Sequence, residues 1–204
     1  MQQTEQPTVY IVDDDEAVRD SLSLLMEAAS LPFECFATAN DFLENRSVNK
    51  PGCLVLDIRM PGMTGLELRD ELHRRNALLP IIFITGHGDV PMAVDAMKHG
   101  AVDFIQKPFA DEALLDRIQQ ALELNATERS AAQLRNAVHN NYLRLTPRER
   151  EVMAMVVSGN ANKVIAQDLG VSQRTVEIHR ARVMEKMQAR SIAQLVQQAG
   201  ILDK

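Results

Sequence analysis

The sequence predicts an open α/β sheet with helices on both faces, followed by a smaller all-α domain. Three observations lead there. Short apolar runs alternate with helical stretches over residues 8–124, the pattern of parallel strands joined by crossover helices. Polar residues cluster where those runs end. The charge balance reverses near residue 124: residues 1–124 carry 21 acidic against 10 basic side chains, residues 125–204 carry 7 against 12.

Taken in order, strands are expected at 8–12, 33–36, 53–57, 80–84 and 102–106, with helices near 15–29, 38–46, 64–76, 89–99 and from about 111. The runs CLVLD and IIFIT are almost wholly apolar, as strands covered on both faces must be. The run at 33–36 carries the weakest signal. The flavodoxin-like order 2-1-3-4-5 is the expected arrangement of this doubly wound sheet; right-handed crossovers follow from chain chirality, but the sequence alone does not fix the order. Residues 111–141 contain no Pro or Gly. Leu114, Leu115, Ile118 and Leu122 should cover the sheet, and Leu124, Ala131, Leu134 and Val138 continue at heptad-like spacing. Two readings stand: one long helix, able to pair with a second copy, or a flexible linker near Asn140–Asn141. The expected division is therefore a first domain over 1–124, a linker over 125–143 that extends the fifth helix, and a second domain over 144–204.

The second domain opens with Thr146, Pro147 and Glu149, a capping box with Pro at the first helical position. Helices are expected to about Ser158, at 162–169, at 172–187 and from Ser191. Within KVIAQDLGVSQRTVEIHRARVMEKM, Ala166 is small enough for two helices to cross. Gly170 suits the left-handed turn between them, and Val176 anchors the second. With Ile165, Leu169, Val171 and either Ile178 or Val183 in the core, this is a helix-turn-helix with 172–187 as the recognition helix.

Composition sets limits. Hydrophobic residues at 46% and charged residues at 25% suit a globular chain with a real core. Apolar runs are too short to span a bilayer, so no membrane partner is expected. No basic-then-apolar leader opens the chain, and a cytoplasmic location is expected. Cys35 and Cys53 lie in apolar stretches and are expected to be buried and reduced.

The strand ends carry the chemistry. Asp13 and Asp14 follow the first strand, Asp57 ends the third, Thr85 follows the fourth and Lys107 the fifth. In such a sheet ligands gather outside the carboxyl ends of the strands. A carboxylate there can attack phosphorus and form an acyl phosphate. Two anions then meet, and Mg²⁺, bound by oxygen ligands, would neutralise them. Asp14 and Asp57 are the expected direct ligands and Asp13 one through water. A backbone carbonyl from the loop after Asp57, that of Arg59, completes the protein's set. Lys107 and Thr85 would hold the phosphoryl oxygens. Gly62 and Gly65 permit the sharp loop, Gly86 leaves room for a donor, and a cis bond before Pro108 would aim Lys107. Each residue alone has a bland reading: a helix cap for an Asp, a surface turn for Lys-Pro, β propensity for Thr85. Four strands ending this way together do not.

Residues 8–124 resemble a receiver domain of two-component response regulators, through VDDD at 12–15, LDIRMPGMTG at 56–65, ITGHG at 84–88 and DFIQKPF at 103–109. The resemblance implies that Asp57 accepts a phosphoryl group from a histidine kinase, and that Mg-dependent self-phosphorylation and slow self-dephosphorylation at Asp57 are the only enzymatic activity. Thr85 and Phe104 would be the switch pair, Lys107 the phosphate-binding lysine, and Arg59 and His87 the residues that set the lifetime of the mark. LTPREREV onward resembles the LuxR-type four-helix DNA-binding domain, matching at Thr146, Glu149, Asn162, Ile165, Ala166, Val176, His179 and Lys186. Together the two make the chain similar to FixJ-type regulators of the NarL/FixJ group. That implies a phosphorylation-driven homodimer acting on promoter DNA and RNA polymerase, as an activator. Gln173, Arg174, Thr175, Glu177 and Ile178 would reach base edges; Arg180 and Arg182 would read guanine or hold phosphate; Lys163 and Lys186 would contact phosphate.

Rival readings are an aspartyl phosphatase, a module whose C-terminal helices bind a protein, constitutively or without phosphate control, and a silent receiver. Arg59 stands where a phosphatase would place its second carboxylate. The basic second half argues against a protein-binding module, and the intact acid, hydroxyl and amine set against a silent receiver.

Overall fold

Why the apolar runs become parallel strands is plain from their burial. The structure, a computed structural model, describes residues 6–45, 50–86 and 103–202, and the chain divides into two compact units, Met1–Arg129 and Ser130–Lys204. In the first, strands β1 (Thr8–Val12), β2 (Phe33–Phe36), β3 (Gly52–Asp57), β4 (Ile81–Thr85) and β5 (Asp103–Gln106) form one sheet in the order β2-β1-β3-β4-β5, every pairing parallel. This is the expected order. The helix expected near 89–99 and His87 lie outside the described residues.

Alternation along the strands splits the core in two. Tyr10, Val12, Leu54, Leu56 and Phe83 face helices α2 (Ala39–Asn45) and α3 (Gly65–Arg74). Val9, Ile11, Cys53, Val55, Ile82 and Ile84 face α1 (Glu16–Ala28) and the first turns of α4 (Asp111–Leu143), through Leu22, Met26, Leu114, Ile118 and Ala121. Each fully buried side chain of this size contributes about 1.5–3 kcal/mol. Helix α4 is continuous through Leu143. Its apolar positions 114, 118 and 121 are followed at 125 by a buried Asn. Asn125 accepts from the Gly52 N–H at 3.0 Å and donates to the Leu78 carbonyl, so a polar residue at a core position pins the helix to the start of β3 and to the segment leading into β4. Leu124 and Leu134 are exposed.

In the second unit, α5 (Pro147–Val157), α6 (Asn162–Asp168), α7 (Gln173–Lys186) and α8 (Ile192–Leu202) pack with the last turns of α4 around Val138, Leu145, Val152, Ile165, Val176, Val183 and Leu195. Thr146 and Glu149 form the expected capping box, with Pro147 in the first turn. Gly170 takes φ +66° between α6 and α7, where a side chain would be strained. Of the two open core positions, Val183 is buried and Ile178 is 47% exposed. One expectation fails: Cys35 is exposed while Cys53 is buried. Cys35 lies on β2, the strand at the sheet edge, so one of its flanks has no neighbouring strand. Among the described residues no helix is long and apolar enough to cross a membrane.

Candidate functional site

The parallel register brings the strand ends together: Asp57 pairs with Ile84, one residue before Thr85, and Thr85 pairs with Gln106, one before Lys107. Ligand oxygens of Asp13, Asp14 and Asp57 all lie within 4.8 Å of one another. Asp13 is fully buried, Asp57 is 9% exposed and Asp14 is exposed. The Lys107 Nζ donates to Asp13 Oδ2 at 2.7 Å, and the Lys107 N–H donates to the Thr85 carbonyl at 2.8 Å. Lys107–Pro108 is the cis bond foreseen. Thr85 is buried, 3% exposed. Phe104 is half-buried, stands opposite Phe83 in the register and packs against the α2–α3 side of the core.

Asp57 Oδ1 accepts from the Ile58 N–H at 2.8 Å. Burial pushes its carboxyl above the usual carboxylate range; Lys107 opposes this, Asp13 adds to it, and the backbone N–H groups of Ile58 and Arg59 oppose it. The Arg59 side chain is exposed. The three carboxylates face one ammonium, an excess of negative charge that suits a divalent cation with oxygen ligands. Gly65 explains the tight loop: a Cβ there would lie 2.2 Å from the Asp57 carbonyl oxygen, so α3 starts against the backbone of Asp57 itself. Gly62 has φ +76°, and a Cβ on Gly86 would meet nothing within 4 Å.

Arg19 was missed by sequence reasoning. Its Nη1 donates to the carbonyls of Asp13 at 2.7 Å and Asp14 at 2.9 Å. The acidic loop is thus braced from α1, whose N-cap is Asp15. An arginine in the second turn after VDDD was the available signal, but surface arginines are too common for it to stand out.

On the second unit, Gln173, Arg174, Glu177, Ile178, Arg182 and Lys163 are exposed. Thr175 is half-buried and its N–H donates to the Ser172 hydroxyl at 3.1 Å, capping α7. Two of the candidates have partners within the protein. Lys186 is not an open phosphate contact here: its Nζ donates to Glu149 Oε2 at 2.6 Å, and Glu149 is only 2% exposed. Burial would raise the Glu149 carboxyl, but Lys186 and the Thr146 N–H outweigh it and hold it below the usual range. Arg180 is half-buried, with its Nη1 donating to Asn162 Oδ1 at 2.9 Å.

Comparison with known proteins agrees with this geometry. The response regulator receiver domain family matches residues 9–119, and the LuxR family of bacterial regulatory proteins matches 143–199. The transcriptional regulatory protein FixJ of Azorhizobium caulinodans is 46% identical over 94% of this chain and 90% of its own length. The response regulator protein TodT of Pseudomonas putida is 46% identical over 92% and 83%. The solved structure of response regulator StyR superposes with a TM-score of 0.88, at 46% identity, over 96% of this chain and 98% of that one. A receiver implies a histidine kinase as partner and a LuxR-type domain implies DNA, so the family's members are transcription factors rather than enzymes. The chain belongs to the FixJ-type response regulators of two-component systems, a receiver domain joined to a LuxR-type helix-turn-helix domain.

Proposed function

We propose that Asp57 takes a phosphoryl group from a histidine kinase and that this mark drives dimerisation and promoter binding, activating transcription through RNA polymerase in the cytoplasm. The working parts are a receiver over 1–124, a helical linker over 125–143 and a DNA-binding domain over 144–204. One observation carries the reading: three carboxylates and an ammonium meet at the strand ends, with Thr85 ending the strand between those of Asp57 and Lys107 and the Asp57 carboxyl pushed up by burial.

An Asp57 oxygen forms the bond to phosphorus as the bond from phosphorus to the donor's imidazole nitrogen breaks. When bound, Mg²⁺ supplies positive charge to both the attacking and the transferred oxygens. Asp14, Asp57 and the Arg59 carbonyl would hold it, with Asp13 acting through water. Asp13 is the member already committed to Lys107, which fits that indirect role. Lys107 moves from Asp13 toward the new phosphoryl oxygens, and the Thr85 hydroxyl donates to one of them. Thr85 leaves space behind it, and Phe104, half-buried on the next strand, rotates inward. Moving a 1:99 equilibrium to 99:1 takes about 5.5 kcal/mol. Charge-assisted hydrogen bonds of about 1.5–3 kcal/mol each reach that sum with about two to four bonds.

Asp57→Asn tests this. The variant should fold, should not be labelled by acetyl phosphate with Mg²⁺, and should show no phosphate-stimulated DNA binding. Full stimulation in the variant refutes the switch.

A further inference from the structure

We infer that Asn162 is a positioning residue that holds Arg180 as a phosphate clamp on the flank of the recognition helix, so that Arg180 fixes docking rather than reading a base. The inference rests on the DNA-binding reading above and decides between the two roles the sequence leaves open for Arg180.

At 3.6 residues per turn, Arg180 lies only about 40° around α7 from Val176. Val176 is fully buried, so Arg180 borders the core. The stripe opposite Val176 runs through Arg174, Ile178, Ala181 and Glu185, all exposed. That stripe is the one free to enter a groove. Arg180 instead sits half-buried on the side facing α6, where its Nη1 donates to Asn162 Oδ1 at 2.9 Å. Asn162 is the first residue of α6, the first helix of the helix-turn-helix, which in this motif crosses the phosphate backbone. Exposed Lys163 is its neighbour. The bond to Asn162 uses one donor of Nη1 and leaves the Nε–Nη2 edge as a two-pronged donor, a shape that suits two phosphate oxygens. On the other flank of α7, Lys186 is bonded to Glu149. Two of the helix's late cations are thus oriented from neighbouring helices, one on each side.

The test uses the full chain, treated with acetyl phosphate and Mg²⁺, on a mixed-sequence duplex and on a random-sequence library. Arg180→Ala should weaken binding to the mixed duplex several-fold and lower the slope of log affinity against log salt by about one, while the library yields an unchanged consensus. Asn162→Ala should reproduce most of that loss, and the double variant should be no worse than Arg180→Ala. Asn162→Asp keeps the partner and the thermal midpoint, yet lowers the salt slope because its carboxylate neutralises the guanidinium; it carries the test if the alanine variant fails to fold. An unchanged affinity and slope in Arg180→Ala, the loss of one consensus base pair, or losses that multiply in the double variant overturn the clamp. A wild-type protein that binds no DNA overturns the DNA-binding reading itself.

Discussion

At Asp57 two demands conflict, and the conflict is the chemistry. As the proposed phosphoacceptor the carboxylate must be reachable by a phosphodonor, yet it is nearly buried beside Asp13. Because its folded carboxyl titrates above the ordinary range, the stability it contributes is full below the unfolded value and is lost as pH rises through the folded one. Above that folded value the ionised group is a cost that a bound cation would relieve. Asp57→Asn should therefore raise the thermal midpoint in EDTA-treated protein, and should gain less from added Mg²⁺ than the wild type, whose gain reaches about 2.7 kcal/mol at one hundred times the dissociation constant. A wild type that is the more stable in EDTA contradicts this. Arg19 reaches the same site through the backbone carbonyls of Asp13 and Asp14. Arg19→Ala should raise the Mg²⁺ needed for half-maximal labelling by about tenfold and leave the rate at saturation alone; a change in the saturated rate instead would place Arg19 in the chemistry. Asp13, Asp14, Asp57, Thr85 and Lys107 were legible because each ends a strand. Arg19 was not, because its partners are backbone carbonyls, which no side-chain pattern encodes.

At the scale of elements, loops and helix ends set the geometry. Gly65→Ala would drive a methyl into the Asp57 carbonyl and should cost about 3 kcal/mol or more. Gly62→Ala, strained only by its positive φ with open space around it, should cost about 1 kcal/mol. Chemical denaturation of both checks the contrast, and equal losses would contradict it. In the second unit the Lys186–Glu149 pair ties the end of the recognition helix to the start of α5. Lys186→Met leaves a buried carboxylate short of a partner and should cost about 2 kcal/mol. Since the Glu149 carboxyl is held below its usual range, its contribution is present above the unfolded value and is lost as pH falls through the folded one. The cost of Lys186→Met should therefore shrink on acidification, and a cost independent of pH would point to packing alone. The capping box at Thr146 and the Gly170 turn were readable from residue type. The Lys186–Glu149 pair was not, because its acid lies on another helix.

At the scale of the molecule, the reversal of charge along the sequence coincides with a division of labour between an acidic receiver and a basic DNA-binding half. Parallel pairing was legible because β3 and β4 are apolar on both faces; exposure of Cys35 was not, because burial at the sheet edge depends on what covers it. We expect phosphorylated protein to sediment as a dimer and untreated protein as a monomer, with Asp57→Asn monomeric in both conditions; a treated wild type that stays monomeric while gaining DNA affinity would remove dimerisation from the proposal. The most direct measurement treats the full chain with acetyl phosphate and Mg²⁺, maps the modified residue by mass spectrometry, and titrates DNA with the same sample. A single phosphoryl group on Asp57, accompanied by tighter DNA binding, is the predicted result. A mark on another residue, or DNA affinity that does not follow the fraction of Asp57 modified, would contradict it.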